Sequence, residues 1–297
     1  MAGCNSGSVA NSALLQTEGC QANASGSSST AVAKFATAGN NAVAVGVSSV
    51  AGGNATAVGT NAVAPGQNGI AIGWNANAIG EGSTAVGGSA GKDGAAGNAF
   101  NLAFGLQSGQ IVTGQANMAV GVFSGYTVNG DYNTALGYFA GQHVTGSYNA
   151  GLGKDAGQHV TGDGNVAIGE LAGINITASN TVAIGRNARA TKNRAVAIGQ
   201  GSVADVANTV SVGTNTARRR IVNVAPAVTN NDAANLGQVK ALVAASAQVA
   251  NDSADIRREL TELRALVKQQ EQDIAQLRNQ KATAALVPSP SHPAQSK

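Results

Sequence analysis

His143 and His159 are the residues whose type and spacing first suggest chemistry. They stand sixteen residues apart inside two copies of the phrase AGQHVTG, with Asp155 and Asp163 close by in sequence. Two imidazoles and a carboxylate are donors of the zinc type. Cys4 and Cys20 share the same interval. In a coil of that period they would stack on neighbouring turns within disulfide reach, and two unpaired thiols are the plainer alternative. Tyr132 and Tyr148 form a third pair at sixteen, each directly before an asparagine. An interval shared by His, Cys and Tyr belongs to a scaffold. No CxxC pair, nucleophile elbow or phosphate loop accompanies it. The chain therefore reads as non-enzymatic, with no cofactor and no metal, and with the histidines as polar residues of a repeated bend.

That scaffold is written in one small word: an apolar residue, a tiny residue, an apolar residue and a closing glycine. Twelve closing glycines run from Gly46 to Gly213, with steps of thirteen or fourteen at both ends and mostly sixteen in the middle. A period this short excludes helix pairs and suits one turn of a parallel β-solenoid, two short strands joined by tight bends. Turns stacked at ~4.8 Å would make a rod of about 55 Å. The apolar positions alternate, as in Val166 and Ile168 or Val182 and Ile184, and the residue between them is almost always Ala. The expectation is that the Val/Ile columns fill the solenoid. The Ala column, including Ala71, Ala167 and Ala183, would then face closely packed copies of the same chain at a trimer interface. In the sixteen-residue section Asn117, Asn133, Asn149 and Asn165 also recur in step, and stacked asparagines can hydrogen-bond along a ladder.

Composition agrees with a thin core: 40 glycines and 3% aromatic residues in 297 do not build two conventional domains. The net charge of +3 is uneven. Arg186, Arg189, Lys192, Arg194, Arg218, Arg219 and Arg220 are accompanied only by Asp205. Without a recognition motif this band reads as a solvated collar, with no nucleic acid as partner.

At residue 218 the texture changes to RRRIVNVAPAVTNNDAANLGQVKAL. Val222 and Val224 suggest a last strand, Pro226 ends it, and Asn230, Asn231 or Asp232 can cap a helix. From Leu236 apolar residues keep heptad spacing. After a phase slip the seam continues as Ile256, Leu260, Leu263, Val267, Gln270, Ile274 and Leu277, with opposite charges at flanking positions, as parallel in-register strands require.

The head words NAVAVG, NGIAIG and NTVAIG, followed by that neck and a coiled coil, resemble the YadA-like trimeric autotransporter adhesins of Gram-negative bacteria. The resemblance implies a mainly β fold, a left-handed parallel β-roll head in a homotrimer. The divisions would be an N-terminal segment at 1–28 with room for degenerate first turns, the head at 29–217, a neck at 218–235, a coiled-coil stalk at 236–281 and a disordered tail at 282–297. Neck residues would be Arg218, Arg219, Arg220, Asn223, Asp232 and Leu236. It also implies attachment to host cells or extracellular-matrix proteins, with collagen-like or fibronectin-like ligands, at the outer-membrane surface. The family's export signal and membrane anchor have no counterpart in this sequence, so the chain is expected to be a soluble head, neck and stalk. A trimeric bacteriophage tail fibre is the alternative.

Eight of the ten aromatic residues fall between 100 and 148. Tyr132 and Tyr148 occupy bends where the fold needs no bulk, and rigid amphipathic rings are the usual material of binding hot spots. With Tyr126 and Tyr138 they are the candidate ligand contacts.

Overall fold

The computed structural model describes residues 5–7, 21–95 and 97–285. Cys4, Cys20 and residues 286–297 lie outside them. The chain divides after Arg219 into two units.

The first unit is a parallel solenoid. Thirteen short strands from Thr30–Val32 to Val210–Ser211 follow one another in a single parallel sheet, joined at its first edge by the antiparallel strand Asn5–Gly7. Pairing is in strict register, with Ala167 opposite Ala183 and Ile168 opposite Ile184. Two-residue strands such as Val128–Asn129 and Val144–Thr145 make the second wall. There is one turn more than there are closing glycines, because the first turn closes on Ala33, held at φ 97°. Ladder bonds begin earlier still, with the Asn23 N–H donating to Ala36 O at 2.8 Å, ahead of the expected boundary at 29.

The two faces of the strand are the reverse of the expectation. Ala71, Ala167 and Ala183 are 0%, 4% and 1% exposed within a single chain, so they line the interior of the roll and cannot meet a copy. The Val/Ile columns point outward, with Ile72 at 40% and Ile198 at 44% exposure. Period-2 alternation separates two faces without saying which is inside. Volume decides it. A fourteen-residue turn with two tight bends encloses a cross-section too narrow for two facing ranks of Val and Ile, so alanines such as Ala57, Ala62 and Ala76 close it. The sixteen-residue turns are wider, and there a single branched column is admitted: Val112, Val128, Val144, Val160 and Ile176.

The asparagine ladder lies beside that column, and Asn117, Asn133, Asn149 and Asn165 are buried. Asn133 Oδ1 accepts the Asn149 backbone N–H at 3.0 Å and its Nδ2–H at 3.1 Å, while Asn149 Nδ2 also donates to Gly162 O at 2.9 Å. Thr181 ends the ladder, its N–H and Oγ–H both donating to Asn165 Oδ1. A buried amide is tolerated only when its bonds are made, and here each copy supplies them to the next.

Among its described residues the second unit holds one helix, α1 (Leu236–Ala285), four residues longer than the expected stalk. No strand forms at Val222 and Val224. The helix is capped by Asn235, not by 230–232: Asn235 Oδ1 accepts the Gln238 N–H at 3.1 Å and Gln238 Oε1 accepts the Asn235 N–H at 3.2 Å, a reciprocal capping box. The Gln238 amide also pairs with both the N–H and the carbonyl of Ala227. Asp232 closes a tight turn instead, accepting from the Thr229 and Val228 N–H groups and the Thr229 hydroxyl. Those bonds, first the one from the Thr229 N–H, hold its carboxyl below the usual carboxylate range.

Two outcomes follow from this packing. Ala167→Leu forces bulk into a filled interior, and overpacking costs about 1–3 kcal/mol. The melting temperature should fall at every protein concentration, and unchanged melting would place the side chain outside. Because the Asp232 pKa is lower folded than unfolded, its turn is held fully above the ordinary carboxylate range and released as pH falls through the folded value. The amide NMR shifts of Val228 and Thr229 should titrate in that acid range, and Asp232→Asn should abolish the step.

Candidate functional site

Beside structural glycines such as Gly125, each sixteen-residue turn has three seats in the left-handed backbone region that take other residue types. One precedes the ladder asparagine, one follows the closing glycine by two, and one lies six beyond that glycine. In the first of these seats other turns carry Asn41, Asn54, Asn68, Asn180 and Asn208, whereas Tyr132 and Tyr148 hold φ of 58° and 61°. Phe123 and Phe139 sit in the second, where Asn61 and Asn75 stand elsewhere, and His143 and His159 in the third. A bulky residue there costs roughly 1–2 kcal/mol relative to glycine. The fold does not require rings there, since Gln107, Leu171 and Arg194 hold equivalent seats at φ of 53°, 56° and 58°.

The seats stack the rings turn upon turn. Tyr132 and Tyr148 lie with centroids 5.2 Å apart and planes 8° from parallel, exposed at 49% and 64%. Phe123 stacks on Phe139 at 5.1 Å, and Tyr138 meets Phe139 edge-on at 4.2 Å. Tyr126 is half-buried and edge-on to His143. The four candidate tyrosines therefore occupy three separate columns. Only Tyr132 and Tyr148 touch, and among the described residues neither Tyr126 nor Tyr138 makes ring contact with them.

His143 and His159 are indeed brought together, with centroids 4.9 Å apart and planes 13° from parallel. Face-to-face imidazoles aim their nitrogens side by side, while a shared tetrahedral metal needs lone pairs that converge. Asp155 is turned to Gln158 and Lys154. Among the described residues no group of three metal-ligating side chains stands together.

The basic band separates into two roles. Arg219 is a structural plug at the end of the roll: its guanidinium donates to Ser202 Oγ at 2.9 Å and to the carbonyls of Val212 and Gln200, each at 2.6 Å. An open sheet edge leaves unpaired carbonyls, and a forked cation satisfies several at once. Arg186, Arg189, Lys192 and Arg194 are exposed. In the second unit Ile256, Leu260, Leu263, Val267, Ile274 and Leu277 are all exposed along α1, as is Gln270.

A family model of the YadA head domain repeat, two copies long, matches residues 52–76, 64–90, 177–202 and 190–216. Residues 52–90 and 177–216 of the first unit are thus similar to YadA head repeats. The matched stretches fall mainly on the narrow turns at the two ends of the roll, and the aromatic turns lie between them. Among solved structures, the crystal structure of the collagen-binding domain of the Yersinia adhesin YadA aligns with 82% of this chain and 98% of its own, at 22% identity and a TM-score of 0.28. No curated protein matches the chain.

Sequence reasoning missed Arg219 as a plug and Asn235 with Gln238 as a cap. The capping box was visible as Asn-x-x-Gln. Nothing local marked Arg219, whose partners lie up to 19 residues away.

The surface can be tested by paired substitution. Tyr132→Ser with Tyr148→Ser should reduce adhesion to immobilised matrix protein or host cells by about tenfold or more, as loss of a hot-spot pair does. Arg186→Ser with Arg194→Ser should alter only the salt-sensitive part. Full adhesion by the tyrosine variant removes the stack as the contact.

Proposed function

We propose that the protein is a homotrimeric surface adhesin whose head, neck and stalk belong to a trimeric autotransporter. Its trimer contacts would be the outward Val/Ile columns of the head and the heptad seam of α1, and its adhesive surface the aromatic turns. The observation that carries this reading is that YadA head repeats and an apolar heptad seam occur in one chain, and both leave apolar columns uncovered. On the head the columns run through Ile72, Phe104, Leu136, Ile168, Ile184 and Ile198. A contiguous exposed apolar face of this extent marks an association surface. A 50-residue helix with an unburied seam likewise needs a partner helix.

In-register copies satisfy both needs, because one screw of identical turns lies against another with like residues at like levels. The ligand class is host cell surface or extracellular-matrix protein, collagen-like or fibronectin-like, as expected of such heads. Localisation would be the cell surface, at the outer membrane. Among the described residues no helix is long and apolar enough to cross a membrane.

Light scattering tests the assembly. The chain should be three times the mass of one protomer at micromolar concentration. Ile168→Asp with Ile184→Asp places six carboxylates against one another in a trimer and should leave a head fragment monomeric. A monomeric wild type, or a charged variant with unaltered mass, would defeat the trimer and its assigned face.

A further inference from the structure

The column that carries the Tyr132–Tyr148 stack has one vacant rung. Taken one residue per turn it runs Gly82, Phe100, Ala116, Tyr132, Tyr148 and Gly164, all with backbones in the left-handed region. The strands that follow them are successive neighbours in the long sheet. A ring therefore stands at every level from 100 to 148 except at Ala116. The Phe100 ring lies against the preceding turn, where a Cβ on Gly82 would come within 2.8 Å of its Cδ1.

Seats two turns apart are separated by ~9.6 Å at the ~4.8 Å rise of a sheet. A flat aromatic guest needs only about 7–8 Å between two ring planes, with carbon contacts of ~3.5–4.0 Å on each side. The gap suits something thicker, a saturated ring with hydrogens on both faces. Its rim is polar. Asp131 leans back onto this same turn, its Oδ1 accepting the Gln115 N–H at 2.8 Å and standing 2.7 Å from where a Gly114 Cβ would be. Asp131 Oδ2 has no partner among the described residues, and Gln115 is exposed.

We propose that the gap over Ala116 is a subsite for one neutral hexopyranose unit of a glycan, sandwiched between Phe100 and Tyr132. It rests on the reading of the aromatic turns as the adhesive surface and names the chemistry they hold. A pyranose offers C–H groups on its faces and hydroxyls around its edge. The faces meet the electron-rich ring faces, and edge hydroxyls donate to Asp131 Oδ2 and exchange hydrogen bonds with the Gln115 amide. A proline ring has similar thickness and no hydroxyl, so it would cover Asp131 without satisfying it. A sialic acid would set a carboxylate against the Asp131 carboxylate.

The full chain should be probed on a printed array of oligosaccharides ending in neutral hexoses, N-acetylhexosamines or sialic acid, alongside a proline-rich peptide. Neutral pyranose termini should be retained. Ala116→Tyr completes the stack with a residue the column already accepts at the same φ, so it fills the gap without disturbing the fold. It should lower glycan binding about tenfold or more with unchanged mass and melting. Asp131→Asn, which keeps an Oδ1 acceptor for Gln115, should weaken binding while keeping the same sugar preference. Absence of glycan binding overturns the proposal, as does binding that Ala116→Tyr leaves intact, or capture of the peptide in place of sugars. If no sugar binds and the Tyr132→Ser, Tyr148→Ser protein still loses matrix adhesion, the subsite fails and the adhesive surface stands.

Discussion

From Gly46 to Gly199 each turn of the head is held at the distance at which one closing glycine lies on the next. A Cβ on Gly137 would stand 2.6 Å from Gly153 O, and one on Gly73 would stand 2.6 Å from Gly87 O, with both backbones at φ near +130°. Neither the space nor the dihedral admits another residue without strain. That approach sets the rise of the roll, and from the rise come the register of the strands, the asparagine ladder and the parallel stacking of rings. It also sets the width. Turns pressed this close, with bends this tight, leave an interior that alanine fills.

Turning alanine inward has a consequence for association. The apolar bulk of every word must go outside, so a single chain is folded and yet unfinished, with branched columns in water. The same is true of α1, whose seam has nothing to pack on among the described residues of its own unit. Two quite different elements thus present the same deficit, and under the proposed trimer identical copies would cover both. Rings occupy left-handed seats that asparagine, glycine and other residues such as Gln107, Leu171 and Arg194 hold elsewhere, and the strain of about 1–2 kcal/mol each is borne by a scaffold whose register is already over-determined.

Much of this architecture is legible in the sequence, because a repeat states its own period. The closing glycines, the alternation and the ladder asparagines all read directly, and the strand words lie where the strands are. What alternation does not tell is which face is inside, and the larger residues were expected within. The enclosed cross-section settles that, and it depends on how tightly the bends close. The first turn lies inside the expected head but outside the count of closing glycines, because Ala33 closes it. The tyrosine pair was visible as a shared interval. Tyr126 and Tyr138 were grouped with it by proximity in sequence, while a turn of sixteen residues carries them to other columns.

The central claim is that Val/Ile columns lie between chains and alanines lie within each one. Oxidative cross-linking tests it directly, with Cys4 and Cys20 replaced by serine and a single cysteine placed at Ile184 or at Ala183. Ile184→Cys should give disulfide-linked dimers on a denaturing gel in high yield, and Ala183→Cys should give none. Cross-linking at Ala183 with none at Ile184 would contradict the account.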